Sequence, residues 1–582
     1  MSQPVVIAGF ASSNRVPGFY GDVEPGQGAQ TAASTPLKFL FVGLPTTGSI
    51  VPDVQIQQIL NISDCDTYFG AGSEGACMGY DALTVAGNAG VPVYGCTAKP
   101  AAGAVAATSF VKITGTATAA GSVIVRIGGK PISVGVSPND TGAQVCTNLA
   151  GVINGYNGGR LPISASAGTN YCTLSCRTAG QRGMQHVVFL DTTQLPAGLV
   201  ATLYTVWTTN GGLGQAYLVG DCVIPKAAPN GLYFKCTTAG TGSTTTEPTW
   251  PTTVGTTVVD GTVTWTCWGS TATGNAPTTA LFLGNGSGLE TYTNLLGTLA
   301  SANYDRIALA ANDATSLAAW KTQIDQYMAA PYNFLQHVMV AANGTLAAAT
   351  SLYQTTLNDT SFEGLWLLNA ETHPSRIAAA FMAYRAMIEQ TNPNPNYDGL
   401  VLSTVAPQSQ VADWPALPTL ISAINNSVTP LGSQNGDGQS HVVRAITTKS
   451  LTGGSADYST LDTGQRTVPD FVFKDAKVYY LTYIQPGNPV CQDDPPPGQR
   501  QPISGIMTPS RVASLLAAKL VDYSLGIISG TSQSVVPFVL NPLPGDVTGT
   551  WDPVAQRPMI AENVRVMPLF HQLGVSVRQV VS

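Results

Sequence analysis

Apolar positions follow one pattern near the start of this chain, a second in its middle, and then return to the first. The run Leu37-Lys38-Phe39-Leu40-Phe41-Val42-Gly43-Leu44 is almost continuously apolar, which predicts a strand buried on both faces of a parallel sheet. Gly70-Ala71-Gly72-Ser73 then breaks the chain before a helical stretch over 74–90 and a strand over 91–96. Strand, helix and strand in that order make an α/β unit. From 110 the pattern becomes β-rich. Strands are predicted over 110–114 and 123–127, with Gly128-Gly129 turning the chain into Ile132-Ser133-Val134. A helix over 141–154 carries Val145, Leu149 and Ile153 on one side and leads to strands over 161–165 and 171–176. Residues 217–270 are turn-rich and read as a small β module. The α/β pattern resumes with a strand over 279–283, a helix over 289–302 and a strand from Tyr304. Helices over 316–328, with Asp313 as N-cap, and 374–390 follow, with strands over 333–340 and 365–368.

The late chain is dense in strand-forming residues. Gly436-Asp437-Gly438 signals a turn before a strand over 441–448, and Gly453-Gly454 signals another. Residues 471–483, rich in aromatic and β-branched side chains, predict a further strand. After a Pro/Gly loop over 486–502, Thr508-Pro509 supplies a cap and a first-turn proline for a helix that stops at Gly526. Its stripe is Val512, Leu515, Leu516, Leu520 and Tyr523, with Lys519 the one polar interruption. Two strands, over 564–570 and 575–580, close the chain. Residues 5–10 also favour a strand but have no hairpin partner, a liability unless another chain completes the pairing.

Bulk properties narrow the class. At 582 residues the chain exceeds one core, so several domains are expected. Only 10% of residues are charged, against about 25% in ordinary globular proteins, a surface better suited to packing against neighbours than to standing alone. The net charge of −7 without a basic run leaves no electrostatic footprint for nucleic acid. The start MSQPVVIAGF lacks the basic and long apolar segments of a signal peptide, and no run reaches the roughly 20 apolar residues of a membrane span. Synthesis in a cytoplasm and reduced cysteines are therefore expected. Cys172 and Cys176 lie four apart with no nearby His, so no metal site is predicted.

Four patterns imitate chemistry. Ala71-Gly72-Ser73-Glu74-Gly75 approximates a nucleophile elbow with its first glycine shifted, and no triad partner supports it. Gly129-Lys130 fails as a phosphate loop, with Ile124 five residues before Gly129 and Pro131 after the lysine. Gly284-Asn285-Gly286-Ser287-Gly288, with Asp305 about 20 residues on, suggests a dinucleotide loop, but its spacing is G-x-G-x-G. Trp250, Trp265 and Trp268 could stack on sugar rings, yet three tryptophans in so small a module are read as its core. No Walker motif, H-E-x-x-H or triad is visible, so no catalytic, cofactor or metal residues are assigned and no enzyme is expected.

An ordered series of motifs is similar to one family. Arg444-Ala445-Ile446-Thr447-Thr448, then Asp457 and Leu461-Asp462, resembles the C-terminal core of tail sheath proteins from contractile-tailed bacteriophages, in particular the Mu-like branch. Asn14-Arg15-Val16-Pro17-Gly18-Phe19-Tyr20 resembles that branch's opening motif, and Phe69, Gly70, Gly72, Ser73 and Met78 match its Phe-Gly-x-Gly-Ser before a helix. Leu195-Pro196-Ala197-Gly198-Leu199, Tyr304-Asp305-Arg306-Ile307 and Pro374-Ser375-Arg376-Ile377 look like the branch as well. The main departure, 217–270, resembles decoration modules inserted in virion proteins, some suspected of binding glycans.

Pattern and resemblance together give an α/β (α+β) multidomain fold. Its parts are an N-terminal arm over 1–28, a βα-alternating middle domain over 29–108 and 276–408, and a β-rich insertion over 109–216. A small outer β decoration module over 217–275 and a sheath-type core over 409–582, ending in a strand arm, complete it. The resemblance implies a structural subunit that polymerises as a helical sheath of hexameric rings around an inner tail tube, then contracts to drive the tube through the host envelope. Baseplate and tail terminator proteins are implied partners, without nucleic acid or membrane anchoring. The implied location is the virion tail, assembled in the bacterial host cytoplasm. Strand exchange between subunits falls to Val5, Val6, Ile7, Phe10, Val575, Val577 and Val580, and the tube-facing helix presents Arg511, Lys519 and Asp522. The alternatives are a glycan-binding virion decoration protein and a nucleotide-binding α/β enzyme.

Overall fold

A computed structural model describes residues 37–569, apart from 47–52, 88–89, 208, 210–213, 218, 220, 228–229, 271–279, 301, 330–331, 409–412, 433–438, 482–489, 500–505 and 527–536. Six parallel strands form its central sheet: β1 (Phe39–Gly43), β2 (Val93–Thr97), β3 (Arg306–Leu309), β4 (His337–Ala342), β5 (Phe362–Trp366) and β6 (Thr429–Gly432). Their spatial order is β2-β1-β3-β4-β5-β6, with short antiparallel strands Ile56–Gln58 and His441–Val442 at the two edges. The apolar run at 37–44 explains the centre of this sheet. Phe39 and Phe41 point into a core with Phe69, Met78 and Phe381, while Leu40 and Val42 point into a second core with Trp320, Ile324 and Tyr353. Alternation along one strand thus feeds two cores, and helices must cover both faces. Helices α1 (Glu74–Ala86) and α2 (Pro374–Ile388) cover the first face, and Ala314–Met328, capped by Asp313 as expected, covers the second.

Between β2 and β3 a β-rich insertion leaves the sheet through a paired neck. Lys99 and Thr291 exchange backbone hydrogen bonds of 3.2 and 2.9 Å, and Val105 with Ser287 and Thr108 with Gly284 continue the pairing. The insertion holds an eight-stranded sheet and a four-stranded one. In the smaller sheet Gly128 and Gly129, both at positive φ, make the expected hairpin between Gly121–Ile127 and Lys130–Val136. Strand Cys222–Ile224 pairs with Leu199–Val206, so the longer strands of 217–270 extend the same eight-stranded sheet, while Gly240–Thr241 pairs apart from it with Ala216–Tyr217. The strand expected at 279–283 forms as Ala280–Phe282 but pairs with Val187–Asp191 inside the insertion. It does not join the parallel sheet, because the chain beyond it must still return along the neck.

The late chain departs from the sequence reading in three places, one being the strand expected over 564–570, whose described residues form only isolated bridges such as Val566 with Val539. The described part of 471–483, up to Leu481, is not a strand: α3 (Gly464–Tyr479) runs through most of it, burying Val468, Val472, Asp475 and Ala476 on one side. That spacing is helical, and it overrides the strand preference of the individual side chains. Of the strand expected over 441–448 only His441–Val442 forms a strand, and Ile446 adds a single antiparallel bridge to Asp462. The helix from Thr508 is as expected: α4 (Pro509–Ser524), with the Thr508 side chain accepting from the Arg511 amide and Gly526 at φ 74 beyond its end. A hairpin, Val547–Asp552 with Arg557–Glu562, packs against α4. Val468, Val472, Leu520, Tyr523, Phe538, Val539 and Val564 form the small core of this unit.

Candidate functional site

In an open parallel sheet the ligand crevice lies beyond the strands' C-terminal ends, where the strand order reverses. Here that point falls between β1 and β3, the neighbours in the order β2-β1-β3. The place is filled. A turn of the insertion, Gln181–Gln185, lies across the ends of β1, β3 and β4. Arg182 grips Glu74, the first residue of α1, through Nε–Oε1 at 3.0 Å and Nη2–Oε2 at 2.7 Å, and pairs with Glu290 as well. The Gln185 and Asn312 side-chain amides bond reciprocally at 2.9 and 2.8 Å, and the Asn343 side chain donates to the Gln185 carbonyl at 2.9 Å. His373 closes the far side. Its Nε2–H donates to the Arg182 carbonyl at 3.0 Å while Nδ1 accepts from the Ser375 hydroxyl at 2.7 Å.

The charges in this cluster compensate one another. Burial alone would raise the Glu74 carboxyl, but Arg182 holds it below its ordinary value. His373 and His186, stacked with ring centroids 4.3 Å apart, are buried and held below the ordinary imidazole value by desolvation. The start of α1, where a phosphate would bind, has its amides taken by Ser73 Oγ and Thr178 Oγ1 at 3.0 Å each. Ser73 is fully buried and serves as that helix cap, not as an exposed nucleophile. In the Gly284–Gly288 loop the amides of Gly284 and Ser287 donate to Thr108 and Val105 across the neck, so they are not free to cradle a phosphate. A Cβ at Gly284 would lie 2.3 Å from the Val206 carbonyl, which accounts for a glycine there without a nucleotide. Asp305 accepts from the Lys38 amide and pairs with Lys474 on α3.

The remaining candidates resolve individually. Trp265 is buried and Trp250 is packed against Phe234 with centroids 4.3 Å apart, so both belong to the module's core. Trp268 does not; it is 43% exposed. Burial pushes the Cys172 and Cys176 thiols up to about 12, far from the thiolate that metal binding needs. Among the described residues no cluster of His, Cys, Asp and Glu could hold a metal ion, and no helix is long and apolar enough to cross a membrane.

Of the residues expected to serve assembly, Val5, Val6, Ile7, Phe10, Val575, Val577 and Val580 lie outside the described residues. Arg511 is partly buried and donates to the Ile506 carbonyl at 2.8 Å. Lys519 turns inward, pairing with Asp475 and lying 5.0 Å from the Tyr479 ring centre. Asp522 is exposed. The motif residues between 444 and 462 come together: Arg444 binds Asp462 at 2.7 and 3.0 Å, and the Thr447 amide donates to the Leu461 carbonyl at 2.8 Å. The Thr448 amide reaches the Phe362 carbonyl of β5 at 2.8 Å, tying the loop to the sheet just before α3 begins.

Two solved sheath tail proteins are similar to this chain. That of Desulfitobacterium hafniense shares 11% identity over 95% of this chain and 100% of its own, with a TM-score of 0.39. That of Listeria innocua shares 10% identity over 92% of this chain and 93% of its own, with a TM-score of 0.42. No protein-family model and no curated protein matches the chain.

A second charged seam, unread in the sequence, joins α3 to the opposite ends of the strands. His337 Nε2–H donates to Asp470 Oδ2 at 2.6 Å, Arg466 pairs with Asp470, and Lys474 pairs with Asp305. Behind it Arg306, Glu389, Arg385 and Glu363 form a buried chain of ion pairs. Its one sequence signal is the scarcity of charge: in a chain so poor in ionisable residues, those within apolar segments need partners.

Proposed function

We propose that this chain is the structural subunit of a contractile bacteriophage tail sheath, polymerising as hexameric rings around an inner tail tube. The observation that carries the reading is the clasp over 444–462. The residues that bear the family resemblance bond to one another and to β5 at the junction between the parallel sheet and the C-terminal unit. The Mu-like branch rests on the sequence motifs alone.

In this reading the hairpin Val547–Asp552 with Arg557–Glu562 is the acceptor for strand exchange. A two-stranded sheet is marginal by itself, and strands from the arms that carry Val5 to Phe10 and Val575 to Val580 would complete it. Asp522, on the open side of α4, is the charge best placed to meet the tube. Contraction draws on free energy stored when rigid subunits assemble in a bistable lattice. Baseplate and terminator proteins bound the sheath, which forms in the host cytoplasm and ends in the virion tail.

Negative-stain microscopy of the purified protein, with and without its tube protein, tests this. Striated tubes are expected, and deleting residues 2–12 should leave soluble subunits that do not polymerise. A chain that stays monomeric under all assembly conditions would overturn the proposal.

A further inference from the structure

The outer face of the module over 217–270 carries a small built surface that the core does not need. Strand Val263–Ser270 pairs with Leu232–Thr238 through two bulges. At the first, Gly269 faces Tyr233 and Cys267 faces Phe234, which leaves Trp268 as the extra residue. A bulge re-aims the side chain it carries, and here it turns a tryptophan out of a strand whose neighbours Trp265 and Cys267 are buried. At the second bulge Thr237 is the extra residue; its hydroxyl lies 3.2 Å from that of Thr266. Lys235, opposite Thr266, lays its ammonium 4.4 Å from the Trp268 ring centre. Thr257 and Val259 on the adjoining edge strand are exposed on the same side.

The geometry points to this face as a binding site for an acidic polysaccharide, one whose sugar rings carry carboxylates. The exposed ring offers an apolar plate for the C–H face of a sugar. The Thr237 hydroxyl, which donates its proton to the Thr264 carbonyl at 3.2 Å, accepts from the sugar hydroxyls, and the Thr257 hydroxyl both donates and accepts. Lys235 supplies the only charge among these residues, so a sugar carboxylate is the complement. A carboxylate would draw the ammonium away from the ring, where it is held by a weak cation–π contact, and so uncover the plate. A nucleic acid fits less well: its phosphates call for several cations, and here there is one. A protein interface needs far more apolar area than one tryptophan and one valine supply. The inference does not depend on the sheath proposal, since a monomer would present the same face.

The test uses the full chain, with oligogalacturonate as probe and dextran as its neutral counterpart, read by calorimetry and by tryptophan fluorescence. Oligogalacturonate should bind and dextran should not. Trp268→Ala should weaken binding roughly tenfold or more. Because the ring is outside the core, its melting temperature should match the parent's. Lys235→Ala should abolish the preference for the acidic sugar, and salt should weaken the parent alone. Absence of binding by the parent, equal binding of dextran, full binding by Trp268→Ala, or tighter binding of single-stranded DNA than of oligogalacturonate would each overturn the assignment.

Discussion

Arg182 of the β-rich insertion and Glu74 of the parallel-sheet domain, 108 positions apart, meet through two hydrogen bonds of 3.0 and 2.7 Å in a site closed to solvent. Glu290 uses the same guanidinium. Removing the arginine therefore leaves two carboxylates buried without their counter-charge. Arg182→Ala should cost about 3–5 kcal/mol, because an uncompensated buried charge is far more expensive than a lost surface pair. Chemical denaturation followed by tryptophan fluorescence reads this directly. Arg182→Lys should recover only part of the loss, since an ammonium cannot reproduce the two-pronged contact.

Acid should weaken the fold in two stages. His337 is held down to about 3, chiefly by burial and by Arg306, and His186 and His373 are also depressed. Unfolded, these imidazoles titrate near 6.5, so below that pH the unfolded chain binds protons the folded chain does not. Stability should fall as pH drops from about 6.5. Glu389, held to about 2 by Arg306 and Arg385 against the cost of its burial, adds a second loss below the ordinary glutamate value near 4.3. A series of melts from pH 8 to pH 4 should show the first limb, and His337→Asn should reduce its slope by the share of that one imidazole, leaving the part due to His186 and His373.

The C-terminal unit has the opposite dependence. Burial and the Asp475 carboxylate push Glu562 up to about 8, only partly offset by Lys519. A raised carboxyl stabilises while it stays protonated, so this contribution fades as pH climbs toward 8. Glu562→Gln should remove that slope for the hairpin and α4, measured by hydrogen exchange of their amides.

Charge reversal on α4 should separate folding from assembly. Lys519→Glu would replace the cation that offsets Asp475 and Glu562 with a further acidic group, so soluble, folded protein should fall sharply. Asp522→Lys touches an exposed position and should melt like the parent. If α4 faces the tube, only the second variant should yield folded protein that co-assembles poorly, as seen by co-sedimentation with tube protein.

Asp260 offers a test inside the insertion. Its buried carboxylate accepts from the Trp207 and Trp265 indoles at 2.6 and 3.1 Å and from the Ser243 amide at 2.8 Å. Asp260→Ala strands these donors and should cost roughly 2–4 kcal/mol, with a red shift of tryptophan emission.

The parallel sheet was legible because burial on both faces leaves a run such as 37–44 almost no polar positions. The caps at Asp313 and Thr508 were legible for a local reason: each bonds an amide three residues on. Helix α3 was misread because aromatic and β-branched content records a preference for half-buried surfaces, whereas Val468, Val472 and Ala476 keep a helical spacing. The hairpin at 547–562 went unread since both its faces are half-buried and no alternation appears. Arg182 and Glu74 carried no signal at all. Their meeting depends on how two distant segments fold back, which neither segment's composition records.

The paired neck at Lys99 and Thr291 makes the insertion a cassette whose two ends meet like the stem of a loop. Such a stem lets the chain between be shortened, lengthened or exchanged without altering the path of β2 or β3. Arg182, and Arg126 through its pair with the buried Glu371, set the condition on any exchange. A replacement must bring its own cations for Glu74 and Glu371, or the parallel-sheet domain is left with uncompensated buried acids. The surface of this protein is thus free to change, provided each new cassette carries the same stoppers.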